Sequence, residues 1–407
     1  MLRPTGPRVV LLLVILALVG YTFVLAPRLV LSNNAGGVAG PPIPGPDDDP
    51  SVAAGPTYFP ADGKAFIGVT TSEGTADLRP VDAFGKAAKH RPEVMMFSQG
   101  WAVDSAFDRA KFDTIARSRM LPVLSWEPWN FRVDNVRKDG THVEQPKYRL
   151  ARITAGDFDS HIRKYAEGVK SLGYHIGIRL AHEMNGFWYP WGVTVNGNQP
   201  ADYPAMWKHV HDIFTSVGAT NVIWIWSPNI TFDTKSRLAQ LYPGDDYTDW
   251  IGLSGYYGTG GERNYRSPSA LFDNTLREVA AFTRRPIVLT ETGATDVLGL
   301  KAQWIGDLAR YLPKHPEIIG FIWYEAVRET DWRIAGSPAA SAAFADLASD
   351  PRYDVTWRGA MLPRATVDLP SPSPSRTSGP SPSKARPKPT HSRTPPASPT
   401  GSPSASN

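Results

Sequence analysis

A short apolar run followed by a helical pattern recurs eight times between residues 58 and 350 of this 407-residue chain. The runs are rich in β-branched and aromatic residues and have the length of strands. They cover 65–69, 93–97, 121–125, 175–180, 221–226, 250–254, 286–290 and 319–323. Because strands that alternate with helices form parallel sheets, eight such units predict an α/β protein with a (β/α)8 TIM barrel. A doubly wound open sheet is the alternative, but the segment 69–74 lacks the glycines of a dinucleotide-binding turn.

Apolar residues at helical spacing mark the segments between these strands. The clearest stripe precedes the fourth strand and ends at Gly173, and a second follows that strand and ends at Gly218. A third stripe precedes the eighth strand. The three stripes are Phe158, Ile162, Tyr165, Val169 and Leu172; Met206, Val210, Ile213, Phe214 and Val217; and Trp304, Ile305, Leu308 and Leu312. We predict a helix over each of them, with the glycines following the last helical turn.

The N-terminal part of the chain reads as a membrane segment followed by a spacer. Residues 9–26 carry no charge and follow Arg3 and Arg8, which indicates a segment that can cross a bilayer with its N-terminus in the cytoplasm. No small-residue cleavage signal follows Ala26, so an uncleaved signal-anchor is favoured over a cleaved signal peptide. We therefore divide the start of the chain into a signal segment over 1–31 and a linker over 32–57. The remaining chain is expected outside the cytoplasm, either anchored to the cell membrane or secreted.

The C-terminal 39 positions, 369–407, hold eleven Pro and eleven Ser and cannot bury a core, so we predict a disordered tail. This tail contains five basic and no acidic side chains, which accounts for the net charge of +4. The predicted barrel domain, 58–368, holds 35 basic and 36 acidic side chains. A neutral domain offers no electrostatic basis for binding nucleic acid. The absence of cysteine excludes disulfide scaffolds, cysteine nucleophiles and zinc-finger or iron–sulfur sites.

Two carboxylates lie at the ends of predicted strands, where a TIM barrel performs its chemistry. Glu183 follows the fourth strand and Glu291 follows the seventh, so both side chains can reach one central cleft. Two carboxylates that face one glycosidic oxygen can hydrolyse a glycosidic bond, provided that one is protonated and the other ionised. The alternative is that these two residues, with Glu127 and Glu325, are rim acids paired with Arg or Lys. The spacing alone leaves both interpretations open.

Four segments resemble glycoside hydrolase family 26, a family of retaining (β/α)8 enzymes dominated by endo-β-1,4-mannanases. The sequence RLAHEMNGFW at 179–188 is similar to its acid/base signature, and LTETG at 289–293 is similar to its nucleophile strand. The segments at 224–229 and 249–256 resemble its fifth and sixth strands, and the matches run in order. The resemblance implies that Glu183 is the general acid/base and Glu291 the nucleophile, with no metal or organic cofactor.

The same resemblance implies roles for four substrate-binding residues. His182 would contact the sugar at the cleavage point, Trp188 would stack on the leaving-group side, and Tyr256 would hydrogen-bond Glu291. Trp323 would lie under the sugar that is attacked, and Trp126, at the end of the third strand, is assigned to substrate binding as well. Leu180, Ser254 and the pair Tyr324–Glu325 depart from the usual family pattern, and these departures bear on the preference for mannan.

The expected function is therefore a retaining endo-β-glycanase that hydrolyses β-1,4-mannan-type polysaccharide outside the cell. The family also contains β-1,3-1,4-glucanases and β-1,3-xylanases, which are the alternatives within it. A barrel that binds polysaccharide without cleaving it is the alternative outside catalysis. The expected partners are the polysaccharide substrate and the cytoplasmic membrane, through the N-terminal segment, and not nucleic acid.

Overall fold

A computed structural model of the chain describes residues 57–103, 105–133, 144–231, 237–259, 262 and 264–367. Eight parallel strands close into a barrel in which each strand pairs with the next and the last pairs with the first. The strands are β1 (Phe66–Thr70), β2 (Val94–Gly100), β3 (Leu121–Glu127), β4 (Ile176–Leu180), β5 (Val222–Trp226), β6 (Trp250–Tyr257), β7 (Ile287–Ala294) and β8 (Ile318–Tyr324). The predicted TIM barrel is confirmed, and the alternative of an open sheet is wrong.

Helices follow the strands and cover the outside of the barrel. The described residues form α1 (Arg79–Ala88), α2 (Arg109–Arg117), α3 (Leu150–Thr154), α4 (Asp159–Lys170), α5 (Asp202–Val217), α6 (Leu238–Leu241), α7 (Pro268–Ala280), α8 (Lys301–Tyr311) and α9 (Pro338–Ala348). The three predicted helices correspond to α4, α5 and α8. Gly173 and Gly218 both have φ of +78°, a left-handed conformation that favours glycine and that turns the chain out of α4 and α5.

The strands are buried along almost their whole length, because a TIM barrel packs side chains on both faces of its sheet. One face fills the interior and the other meets the helices. On β3, for example, Trp126 packs against Tyr165 of α4 and Phe214 of α5. Alternate residues of the same strand, Ser125 and Glu127, face the interior side of the sheet. This alternation decides which strand residues can reach a site at the open end of the barrel.

A short pair of strands lies outside the barrel sheet. The two-residue strands Tyr58–Phe59 and Leu362–Pro363 pair in parallel, a contact that the sequence did not predict. Within the described ranges, no helix has both the length and the apolar character needed to cross a membrane. The predicted signal segment (1–31), the tail (369–407) and all but the last residue of the linker (32–57) lie outside those ranges.

Candidate active site

A buried arginine organises the interior of the barrel below the site. Arg179 points inward from β4 and is fully buried. Its guanidinium donates to the hydroxyls of Ser227, Ser125 and Ser254 at 2.9, 3.2 and 2.8 Å. Nη1 also donates to Oε1 of Glu291 at 2.5 Å. The guanidinium on β4 thus contacts residues of β3, β6 and β7 and the residue that follows β5, and these hydrogen bonds offset the cost of burying its charge.

Glu291 lies on β7 with its side chain about one-fifth exposed. One carboxylate oxygen accepts from Arg179, and the other accepts the hydroxyl of Tyr256, on β6, at 2.6 Å. The pairing register of β7 with β8 shifts between Leu289 and Thr292, and such irregularities re-aim side chains next to sites. The predicted contact between Tyr256 and Glu291 is present. Two donors, one to each oxygen, orient this carboxyl group.

Glu183 lies just beyond β4 in an unusual stretch of backbone. Ala181 and Glu183 both have positive φ, at 44° and 55°, although neither is glycine. Such conformations cost about 1–3 kcal/mol each and are found where a side chain must be aimed at a site. Oε1 of Glu183 accepts from Nδ2 of Asn229 at 3.0 Å, and Oε2 accepts from Nε1 of Trp188 at 2.7 Å. The carboxyl group is therefore held at both oxygens, like that of Glu291.

The two carboxyl groups have different electrostatic surroundings. Burial raises the pKa of Glu183, and the negative charge of Glu291 raises it further. The charge of Arg179 and the hydrogen bond from Asn229 lower the pKa of Glu183 in part. Arg179 forms its ion pair with Glu291 and not with Glu183. The arrangement therefore favours a proton on Glu183, which is what a general acid needs.

His182, the neighbour of Glu183, is almost fully buried. Its Nε2 lies 3.2 Å from the hydroxyl of Tyr189, and its Nδ1 is a buried nitrogen with no partner among the described residues. Burial holds the pKa of His182 well below its usual range, and the charge of Arg179 lowers it further. The ring is thus a neutral donor or acceptor. An unpaired buried nitrogen at the site is consistent with the predicted contact to a sugar hydroxyl.

A cavity of about 370 Å³ opens beside Glu291 at the C-terminal ends of the strands. Polar residues after β1 form one wall, and Tyr324 with Arg328, after β8, form another. Glu127, His182, Tyr189 and Glu291 also line it. Trp188 and the half-exposed ring of Phe187 are not part of this lining. The cavity has room for sugar-sized ligands, and its lining combines charged groups with aromatic rings.

Two predicted substrate-binding residues are wrong. Trp126 is fully buried against Trp101 and the helices α4 and α5. Trp323 is fully buried as well, against Trp304 of α8 and Phe344 of α9. Both rings face away from the barrel interior, because side chains alternate along a strand and these two fall on the outer face. The next residue of each strand, Glu127 or Tyr324, lines the cavity instead.

Sequence reasoning missed three residues of the site. Arg179 stands inside an apolar strand, and a charged residue there is itself a signal, because such a charge is buried only when it is paired. Asn229 is the last residue of the segment that resembles the family's fifth strand, and Glu127 enters the sequence interpretation only in the alternative of rim acids. Their roles depend on contacts across strands, which local sequence does not display. Among the described residues, no cluster of three or more His, Asp or Glu side chains is placed to hold a metal ion.

Comparison with protein families gives an independent result. Residues 127–303 match the model for glycosyl hydrolase family 26. Endoglucanase H from Acetivibrio thermocellus is 28% identical over 307 residues, which is 72% of this chain and 31% of that protein. A mannan endo-1,4-beta-mannosidase from Bacillus subtilis is 27% identical over 194 residues, or 46% of this chain and 48% of the relative. The chain thus spans less than half the length of these curated relatives.

Solved structures agree in fold. A family 26 β-mannanase from Bacteroides ovatus superposes with a TM-score of 0.52 at 18% identity, covering 71% of this chain and 90% of that one. A Bacillus subtilis mannanase gives 0.52 at 20% identity, covering 75% and 92%. At these identities the likeness concerns the fold alone. The resemblance that the sequence motifs suggested is confirmed by the family match.

Proposed function

We propose that the protein, whose residues 127–303 match the model of glycosyl hydrolase family 26, is a retaining endo-β-glycanase that cleaves β-1,4-mannan-type polysaccharide. The observation that carries the proposal is the pairing of two separately held carboxyl groups. Glu291 is fixed by Arg179 and Tyr256, and Glu183 is fixed by Asn229 and Trp188. Each carboxyl group has its own donors, and the charge of one acts on the other.

In the first step of the proposed mechanism, the carboxylate of Glu291 attacks the anomeric carbon. The bond between that carbon and the glycosidic oxygen breaks, and Glu183 transfers its proton to the departing oxygen. Arg179 and Tyr256 hold the carboxylate of Glu291 in position for the attack. The products are a released sugar chain and a glycosyl ester on Glu291.

In the second step, water enters from the side of Glu183, which is now ionised. Glu183 takes a proton from the water, the water oxygen bonds to the anomeric carbon, and the ester bond to Glu291 breaks. Both carboxyl groups return to their starting states, and the configuration at the anomeric carbon is retained. The mechanism predicts that the two carboxyl groups lie about 5–5.5 Å apart, the separation typical of retaining enzymes.

The relatives of this chain are named for different polysaccharide substrates. Mannan is favoured by the Bacillus mannanases among the relatives. A β-glucan is the second candidate, because the relative that covers most of this chain is named an endoglucanase. β-1,3-Xylanases of Vibrio and Alcaligenes also match, at 22% and 24% identity. A barrel that only binds polysaccharide would not need Arg179 and Tyr256 to orient Glu291.

The test is hydrolysis by the purified full-length chain. It would be incubated with mannan, mixed-linkage glucan, cellulose and β-1,3-xylan, and new reducing ends and product sizes would be measured. We expect oligosaccharides from one of them, and their loss in both Glu183→Gln and Glu291→Gln. Sugar binding without any products would instead support the binding barrel. Activity that survives Glu291→Gln would show that another group is the nucleophile.

We also propose that the protein acts outside the cytoplasm, tethered through its N-terminal segment. The support is the uncharged run at 9–26 behind two arginines. Fractionation of cells that express the full chain would test it, and the protein is expected in the membrane fraction and accessible to added protease. Recovery in the cytosol would contradict the proposal.

A further inference from the structure

A third buried carboxyl group, Glu127, lies at the end of β3 and lines the same cavity as Glu291 and His182. Glu127 is almost completely buried, with 3% of the residue exposed. The mechanism proposed above uses Glu183, Glu291 and their donors, and it leaves this acid without a role. A buried carboxyl group that opens only into a ligand cavity has to be explained, because burying its charge is costly.

The hydrogen bonds of Glu127 locate its proton. Nε1 of Trp129 donates to Oε2 at 2.9 Å, and an indole N–H can only donate. Oε2 is therefore the acceptor, and a proton on this carboxyl group is best placed on Oε1. The hydroxyl of Ser98, which also lines the cavity, is a further hydrogen-bond partner of Glu127. A neutral Glu127 would thus have both an O–H donor and a satisfied acceptor.

Burial is the main cause that favours the neutral form of Glu127. Burial raises the pKa of Glu127 to about 7, and the negative charge of Glu291 also raises it. The hydrogen bonds from Trp129 and Ser98 and the charge of Arg179 act in the opposite direction. The ion pair of Arg179 is already formed with Glu291. The other ionisable groups that face Glu127 across the cavity are Glu73, Lys111, His182, Tyr189, Tyr324 and Arg328.

We propose that Glu127 presents a protonated carboxyl group to the sugar whose anomeric carbon is attacked, and donates a hydrogen bond to one of its ring hydroxyls. This assignment rests on the proposed glycosidase function and adds a substrate-binding residue to it. Loss of the Glu127 proton removes the donor and places a second negative charge beside Glu291. Ionisation of Glu127 therefore lowers the activity at alkaline pH, independently of the ionisation of Glu183.

The second half of the barrel offers a matched control. Glu325 lies just after β8, is 2% exposed, and has a pKa that burial raises to about 7. Its two oxygens accept the backbone N–H groups of Ile334 and Ala335 at 2.8 and 3.2 Å, and it does not line the cavity. Glu325 therefore has the same burial and titration range as Glu127 but no access to substrate.

The experiment uses a substrate that needs no acid catalysis. With a dinitrophenyl β-glycoside of mannobiose or cellobiose, whichever the full-length protein hydrolyses, departure of the phenolate needs no proton from Glu183. We expect kcat/KM of the wild type to fall about tenfold between pH 6 and pH 8, as a single group with a pKa near 7 requires. Glu127→Gln keeps a neutral donor and is expected to vary less than about twofold over that range, whereas Glu325→Gln should follow the wild type.

Two results would overturn the inference: a wild-type profile that is flat from pH 6 to pH 8, or a Glu127→Gln profile that falls as the wild type does. A readout that needs no activity is the infrared difference spectrum across the same pH range. It should contain protonated-carboxyl absorption from both Glu127 and Glu325, because both groups titrate in this range. Glu127→Gln and Glu325→Gln should each remove a different component of that absorption, and absorption in Glu127→Gln equal to that of the wild type would contradict the assignment. If the wild type hydrolyses no glycoside, the proposed function fails, and the infrared result still decides the state of Glu127.

Discussion

Arg179 of β4 donates from Nη1 to Oε1 of Glu291 on β7, 2.5 Å away, across the interior of the barrel. The same guanidinium is hydrogen-bonded to three serine hydroxyls, one on β3, one on β6 and one just after β5. The position of the proposed nucleophile therefore depends on the closed barrel and not on its own strand alone. This explains how two carboxyl groups from distant parts of the chain, Glu183 and Glu291, can be held at one site.

Replacing Arg179 with lysine should reduce kcat/KM by about 10²–10³-fold, the loss typical of removing a preorganised donor from a charged reacting group. A single ammonium group cannot reach all the acceptors that the guanidinium fork contacts. The measurement is steady-state kinetics on the preferred polysaccharide, with circular dichroism to confirm that the variant is folded. A folded Arg179→Lys protein with wild-type activity would show that the fork geometry is not needed.

Tyr256 and its neighbour Tyr257 form a matched pair for testing the second donor to Glu291. Tyr256→Phe removes the hydroxyl 2.6 Å from Oε2, and because a hydrogen bond to a charged group is worth about 1.5–3 kcal/mol, kcat should fall about 10–100-fold. The hydroxyl of Tyr257 is buried without a partner among the described residues. Tyr257→Phe should therefore leave kcat within about twofold of wild type. Equal effects of the two substitutions would contradict the positioning role.

The barrel was predictable from the sequence because its signal is local and repeated. Each predicted strand overlaps an observed one, and the glycines after α4 and α5 end those helices as expected. The carboxyl pair was predictable because Glu183 and Glu291 follow strands and carry recognisable motifs. The contacts of Arg179, Asn229 and Glu127 were not, since each depends on which residues of other strands lie opposite.

The errors at Trp126 and Trp323 have a single cause. An aromatic residue at a strand end lies near the cleft only if its side chain is on the inner face of the sheet, and its place at the strand end does not give the face. In a strand, a shift of one residue exchanges the two faces. Trp126 and Trp323 pack under the helices, whereas the adjacent Glu127 and Tyr324 line the cavity. The inward side chain of Arg179 indicates which residues of β4 face the interior. It does not indicate which residues of β3 or β8 do, because the register between strands is not visible in the sequence.

Trp323 and Trp188, both predicted to bind substrate, have different surroundings in the structure. Trp323→Phe should lower the free energy of unfolding by about 1–2 kcal/mol through lost packing, with KM unchanged. Trp188→Phe removes the donor to Oε2 of Glu183 and should lower kcat about tenfold while leaving the melting temperature near that of wild type. Denaturant unfolding and kinetics on the same preparations measure both. A raised KM in a Trp323→Phe protein of unchanged stability would indicate that the Trp323 ring contacts the substrate.

Asn229 should tune the proton on Glu183. Its amide donates to Oε1 of Glu183 and lowers the pKa of that carboxyl group. Removing the donor in Asn229→Ala therefore raises the pKa, and because the general acid must be protonated, the alkaline limb of kcat/KM on polysaccharide should move to higher pH. Asn221→Ala is the control, since the Asn221 amide, just before β5, bonds only to backbone carbonyls outside the site. A limb that moves to lower pH in Asn229→Ala would contradict this sign.

The stability of the fold should also depend on the buried glutamates. Burial raises the pKa of Glu325 to about 7 in the folded chain, compared with about 4.3 for an unfolded glutamate. Between these values the folded state holds a proton that the unfolded state has released. The contribution of Glu325 to stability is therefore complete below about pH 4.3 and is lost as the pH rises through about 7, by up to about 4 kcal/mol.

Buried histidines act in the opposite direction, so the dependence has to be read as a difference between two proteins. Burial lowers the pKa of His161, and the unfolded state therefore binds protons more readily than the folded state at low pH. That term is common to the wild type and to Glu325→Gln, and it cancels when their free energies of unfolding are subtracted. The substitution adds a constant cost for the weakened bonds to Ile334 and Ala335, because glutamine does not titrate.

Denaturant unfolding at a series of pH values should show the wild type losing its advantage over Glu325→Gln between about pH 4.5 and pH 8. A difference that stays constant over that interval would mean that Glu325 is ionised in the folded protein throughout.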